Sequence, residues 1–170
     1  MTMLSTTPIT TMSTNKIACV TGGARRIGRA IVLALHGAGF DVIIHYQTSE
    51  ADAQSLAQYC NQQRAHSAYI VQGQLDDVDD IEMLANAIIG CAGRLDVLIH
   101  NASRFYPTPM GEIQAQDWHN LIDSNAKAPL FLTQALLPYL QMVNGNVISI
   151  LDIHADNRPF LGYSVYNMAK

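Results

Sequence analysis

The sequence predicts an α/β domain built on a doubly wound parallel sheet, and three features predict it. Short apolar runs rich in β-branched residues alternate with longer segments that repeat apolar residues at three- and four-residue spacing. The short runs are mostly apolar throughout instead of alternating with polar residues, as befits strands covered by helices on both sheet faces. The first run leads at once into a glycine-containing turn and a helical segment. At 170 residues and 49% hydrophobic content, the chain has enough apolar surface for one core.

Residues 1–15, rich in Thr and Ser, contain no apolar run long enough for export and no early positive cluster, the first basic residue being Lys16. They read as a disordered tail, with Met12 as an alternative start, and residues 16–170 read as the folded domain. Strands are expected at Ile17–Val20, Val42–His45, Ala68–Val71, Val97–His100 and Asn146–Leu151. The first helix, Ile27–His36, stops at Gly37 and Gly39, which tolerate a left-handed conformation. A second covers about Ser49–Gln63, and a third runs from Val78 to Cys91 with Asp76 or Asp77 as N-cap. A longer helix occupies about Ala115–Leu140. Pro129 lies within it, offers no N–H to the Asn125 carbonyl, and should kink the helix there.

Composition excludes several function classes. With 14% charged residues and a net charge of −4, the chain presents no basic field for nucleic acid or anionic membranes. No segment supplies the ~20 uninterrupted apolar residues of a membrane helix. Cys19, Cys60 and Cys91 are widely spaced and lack a CxxC pattern, so neither a disulfide framework nor a metal site is expected, and a reduced, cytoplasmic setting fits.

The segment IACVTGGARRIGRAI places its glycine turn between the first strand and first helix, where backbone N–H groups and the helix dipole can hold a pyrophosphate. Thr21, Gly22 and Gly28 set its spacing, and Arg26 adds a cation beside the expected phosphates. After the second strand, a carboxylate would grip a free ribose hydroxyl and repel a 2′-phosphate. The chain instead reads His45, Tyr46, Gln47, Thr48, Ser49, and Ser49 can donate to a phosphate, which favours NADPH over NADH. At the other end, Tyr166 and Lys170 stand four apart, on one face of a helix, where an ammonium can stabilise a tyrosinate and lower the phenol pKa.

The order of the TGxxxxxG turn, Asn101-Ala102-Ser103, Asn125, Asp152 and Tyr166/Lys170 resembles the short-chain dehydrogenase/reductase family over residues 16–170. Arg26 in place of the middle glycine, the string NASRFYPTPM, His45-Tyr46 and Asp152 where most members carry Ser resemble its pteridine reductase branch. Thr48 departs from the Arg often found there, Gln74 departs from the family's common Asp near adenine, and the spacing from Asp152 to Tyr166 is one residue longer than usual.

The resemblance implies a Rossmann-type fold and a small-molecule pterin or folate substrate whose C=N bond takes hydride from NADPH. Tyr166 would supply the proton, Lys170 would hold the nicotinamide ribose and depress the Tyr166 pKa, and Asn125 would anchor a water near Lys170. Asp152 would bind or protonate the pterin nitrogen, Phe105 would stack on its ring, and Arg26 would serve substrate as well as cofactor. Cofactor contacts would further come from Arg25, Ile27, Gln74 and Leu75. A ketone or sugar reductase of the same family, and a nucleotide-binding module without catalysis, fit the same residues. Family members continue past the lysine, so the fold is read as truncated after the fifth strand, with the domain incomplete, Tyr166 and Lys170 on a frayed helix end, and an exposed fifth strand. The resemblance leaves a homo-oligomer, paired through the long helix, open for a full-length form.

Overall fold

The computed structural model describes residues 15–153 and 158–170. The tail inferred for residues 1–15 therefore lies, except for Asn15, outside the described residues. Five parallel strands, β1 (Ile17–Val20), β2 (Asp41–Tyr46), β3 (Ala68–Gln72), β4 (Val97–His100) and β5 (Asn146–Ser149), form one sheet in the order β3-β2-β1-β4-β5. The order reverses between β1 and β4, so the C-terminal ends of these two strands border a crevice.

The sheet is covered on both faces, and the two-residue period of each strand divides its side chains between two cores. Ile17 and Cys19 of β1, Ile43 of β2 and Leu98 of β4 pack with α3 (Val78–Ala92) and α5 (Ala128–Met142). Val20, Val42, Ile44 and Ile99, one residue out of phase, pack with α1 (Arg26–Gly37) and α2 (Glu50–Gln63). This double burial is why these runs carry so few polar residues. Strand β5 has only β4 beside it, and Val147 and Ile148 remain 44% and 46% exposed.

Helix ends follow local chemistry. Asp77, rather than Asp76, caps α3 by accepting the Asp79 N–H at 2.9 Å. Gly39, at φ +95°, carries the chain from α1 into β2. The long helix is interrupted where Pro129 was expected to disturb it: α4 (Ala115–Ile122) passes into a π turn at Asp123–Lys127 before α5 begins. Pro129 cannot donate, so the ladder steps to a wider register, with the Ala128 N–H reaching the Asp123 carbonyl.

The C-terminal helix α6 (Ser164–Ala169) is also better held than a frayed end. Thr108 ties it down: its hydroxyl accepts the Val165 N–H at 3.1 Å and its own N–H donates to the Gly162 carbonyl at 2.7 Å. Val165 and Tyr166 bury themselves against Leu121 of α4. Packing thus supplies the register that a six-residue helix cannot hold alone.

The two kinds of surface predict unequal costs. Leu132→Ala, in the fully enclosed core of α5, should lower unfolding free energy by about 2–5 kcal/mol. Val147→Thr on β5 should change it by no more than about 0.5 kcal/mol. Urea midpoints of the two variants against the unaltered chain check both values.

Candidate functional site

Two threads of side chain to backbone close the crevice end of the sheet. The buried Thr21 hydroxyl donates to the Ile99 carbonyl at 3.3 Å and accepts the N–H groups of Asn101 and Ala102, each at 3.0 Å. The Asn101 amide donates to the carbonyls of Thr21 at 2.9 Å and Gly22 at 3.1 Å. Thr21 and Asn101 therefore hold the ends of β1 and β4 together.

The turn between β1 and α1 is tight enough to demand its glycines. Gly22 stands at φ +60°, and a Cβ on Gly28 would lie 2.2 Å from the Gly22 carbonyl oxygen and 2.6 Å from the Asn101 amide nitrogen. Arg26, in the place of the middle glycine, still takes the glycine-like conformation at φ +49°. Helix α1 has no side-chain cap and no acid in its first turn, so its leading N–H groups and positive end are left for an anion.

A cavity of about 360 Å³ opens there. Among the residues expected to bind cofactor, Gly22, Arg25, Arg26 and Ile27 line it from the turn, His45, Tyr46 and Ser49 from the end of β2, and Leu75 and Asn101–Ser103 from the facing loops. Thr21 and Gly28 stand behind this wall as framework. Gln74 is exposed, does not line the cavity, and accepts a hydrogen bond from Gln47. Asp76, Arg104 and Ser124 also line the cavity. Sequence reasoning missed these three; Asp76 carries a visible signal, a carboxylate in the third crevice loop, which reads equally as a helix cap.

His45 contributes differently from a direct ligand. Its Nδ1 accepts the Gly22 N–H at 3.1 Å, and Nε2, which must then carry the proton, contacts the Gly73 carbonyl at 3.2 Å. Both ring nitrogens are spent on shaping the turn. The neutral ring is required for this pattern, and burial pushes its pKa down to about 4. Burial does the same to His100, whose Nε2 lies 2.8 Å from the Thr133 hydroxyl.

The second pole lies beyond Ser103, which lines the cavity and hydrogen-bonds the Tyr166 phenol. Tyr166 donates its hydroxyl to Asp152 Oδ2 at 2.7 Å. Lys170 Nζ donates to the Ile150 carbonyl at 3.0 Å and sits 6.0 Å from the Tyr166 ring centre. The expected depression of the Tyr166 pKa is not what this arrangement produces. Burial raises it above the ordinary tyrosine range, the hydrogen bond and charge of Asp152 raise it further, and only the Ser103 bond opposes them. Lys170 is itself driven down by burial, against the pull of Asp152.

Asn125 belongs to the π turn, and its side chain grips the loop after β4: Oδ1 accepts the Arg104 N–H at 3.2 Å and Nδ2 donates to the Arg104 carbonyl at 2.9 Å. Phe105 lies within an aromatic group. It stacks on Tyr163 with ring centres 4.7 Å apart, meets Tyr166 edge-on at 4.7 Å, and touches Phe160 at 5.9 Å. Phe160 and Tyr163 were not singled out from sequence, because aromatics flanking a turn carry no periodic signal of their own. Tyr166, Asp152, Lys170 and Phe105 are thus brought together, while Asn125 is attached to the adjoining loop.

A family model described as short chain dehydrogenase matches residues 16–170. Pteridine reductase 1 of Leishmania tarentolae is 33% identical over 95% of this chain and 69% of its own length. A short-chain dehydrogenase/reductase, FrzI, of a Cladobotryum species is 32% identical over 74% of this chain and 48% of its own length. The 3-oxoacyl-(acyl-carrier-protein) reductase FabG of Staphylococcus aureus is 28% identical over 84% of this chain and 58% of its own length. The chain thus spans between about half and two thirds of the length of these curated relatives.

Two of the buried histidines, His45 and His100, predict an acid limit. Their folded pKa values, about 4 against an ordinary 6.5, mean that the unfolded chain takes up protons that the folded chain refuses. Stability is therefore full above about pH 6.5 and is lost as pH falls toward 4, by up to about 3 kcal/mol per ring. Urea midpoints at pH 7.5 and pH 4.5 should differ accordingly, and His100→Gln should shrink the difference.

Proposed function

This chain belongs to the short-chain dehydrogenase family, and from that premise we propose that it serves an NADPH-dependent reductase delivering hydride to the C=N bond of a dihydropterin or dihydrofolate. Residues 16–170 constitute its dinucleotide-binding domain on this reading. The observation that carries the proposal is the 2.7 Å hydrogen bond from the Tyr166 hydroxyl to Asp152, beside the Phe105 ring. A carboxyl here suits a ring nitrogen better than a hydroxyl does, since it can both accept from a pterin N–H and carry a transferable proton. The likeness to a pteridine reductase supports the same choice.

The residues present fit a dinucleotide. The uncapped first turn of α1 and the crowded approach of Gly22 and Gly28 suit a pyrophosphate. Arg25 supplies the cation that the sequence after β2 lacks: it lines the same cavity as Ser49 and is held by Asp52 of α2 at 2.5 Å. A 2′-phosphate placed between Arg25 and Ser49 would gain charge-assisted hydrogen bonds, which favours NADPH. When bound, NADPH supplies the hydride.

The chain's own groups manage the proton and the alignment. Burial and Asp152 keep the Tyr166 phenol protonated at neutral pH, so it remains a donor. Ser103 fixes the phenol next to the cavity, and the Phe105 ring, set by Tyr163 behind it, offers a flat apolar wall for a planar substrate. Lys170, bonded to the Ile150 carbonyl, places positive charge near Asp152 and the phenol. The likeness to a 3-oxoacyl reductase favours, as the second reading, reduction of a ketone at the same tyrosine.

NADPH oxidation should be followed with dihydrobiopterin and, separately, with a 3-oxoacyl thioester. The pterin reading expects turnover with dihydrobiopterin that falls about 100-fold or more in Tyr166→Phe and is also lost in Asp152→Ala. Turnover confined to the ketone, and surviving Asp152→Ala, would replace it with the second reading. Cofactor binding, read by NADPH fluorescence, should weaken about tenfold in Arg25→Ala, with NADH binding nearly unchanged.

A further inference from the structure

The loop after β4 carries a second connection that the proposed reaction does not use. Arg104 Nη2 donates to Asp76 Oδ2 at 2.8 Å, and Nη1 stands 2.8 Å from Oδ1. Asp76 lies in the loop between β3 and α3, Arg104 in the loop after β4, and both line the cavity. The ion pair therefore joins two loops that border the dinucleotide cavity. Asp76 Oδ1 is buried and receives no hydrogen bond among the described residues, so the charge of the guanidinium beside it is what compensates it.

Arg104 is also the residue whose backbone N–H and carbonyl are both held by the Asn125 side chain, at 3.2 and 2.9 Å. One residue thus links three segments: the β3–α3 loop through its side chain, the π turn through its backbone, and the cavity wall between them. On elementary electrostatics, a carboxylate in an anion-binding cavity is a disadvantage. Paired with the Arg104 guanidinium, it instead ties the loop after β3 to the residue whose backbone Asn125 holds.

We propose that Arg104 and Asp76 are positioning residues: their ion pair couples the dinucleotide-facing loop after β3 to the π turn that carries Asn125. The proposal rests on the cofactor-binding reading above. Filling the cavity would press on Leu75 and Asp76, and the pair would pass that constraint through the Arg104 backbone to Asn125. An exposed ion pair alone would contribute little. This one sits at 33% and 42% side-chain exposure between two loops, where geometry rather than surface charge decides its effect.

The sign of one substitution separates this role from simple charge. Asp76→Asn removes a negative charge from an anion site, so electrostatics alone makes NADPH bind more tightly. The positioning role requires the reverse: about fivefold weaker NADPH binding, and faster hydrogen exchange at the amides of Asp123–Lys127 in the free chain. Arg104→Lys, which keeps the charge but loses the fork, should behave like Asp76→Asn, and the double variant should be no worse than the poorer single one. Tighter NADPH binding by Asp76→Asn, or unchanged exchange at Asp123–Lys127, would overturn the proposal. Failure of the unaltered chain to bind NADPH would instead sink the cofactor reading, and the exchange comparison would still decide whether the pair holds the π turn.

Discussion

The Thr21 hydroxyl, with the Asn101 amide beside it, is the contact on which the remaining geometry rests. A parallel sheet whose order reverses between two strands leaves their C-terminal ends diverging, with backbone groups that neither ladder satisfies. The Thr21 hydroxyl answers two of them, accepting from Asn101 and Ala102, and adds a second donor to the Ile99 carbonyl that the Thr21 N–H already reaches. Asn101 then reaches back to the carbonyls of Thr21 and Gly22. The glycine turn, the cavity wall and the loop leading to Arg104 all hang from this junction. Both side chains are short and buried or half-buried, so the junction gives position without depending on long, flexible groups.

Neutral polar groups do most of the shaping, and charges are placed around them. His45 works as an uncharged donor and acceptor between Gly22 and Gly73. Cations line the cavity beside the uncapped end of α1, Arg25 being held by a carboxylate of α2. The tyrosine pole runs the other way: with Asp152 as its nearest acidic partner, the phenol is kept from ionising. An ammonium four residues along a helix does not by itself make a tyrosinate when that ammonium is spent on the Ile150 carbonyl.

The sheet was legible in the sequence because buried parallel strands are apolar on both faces, and β1 and β4 fall at the expected residues. The glycine turn was legible because close backbone approach leaves few alternatives to glycine at Gly28. The long helix was read correctly as interrupted near Pro129, since a missing N–H shows in the sequence, while the form the interruption takes, a π turn, depends on neighbours. The anchoring of α6 was invisible for a similar reason: Thr108 lies far from it in the chain. His45 was visible as a cavity residue, but its commitment to two backbone groups depends on loops brought together only by folding.

The π turn at Asp123–Lys127 separates two helical faces that a continuous helix could not serve together. One additional residue in a turn rotates everything after it by about 100° around the axis. Before the turn, Leu121 looks toward α6 and the tyrosine pole; after it, Ala128, Leu132, Leu136 and Leu140 look into the sheet core. The interruption that Pro129 enforces is therefore a phase shifter, letting one stretch of chain act first as a bracket for the tyrosine pole and then as a wall of the domain.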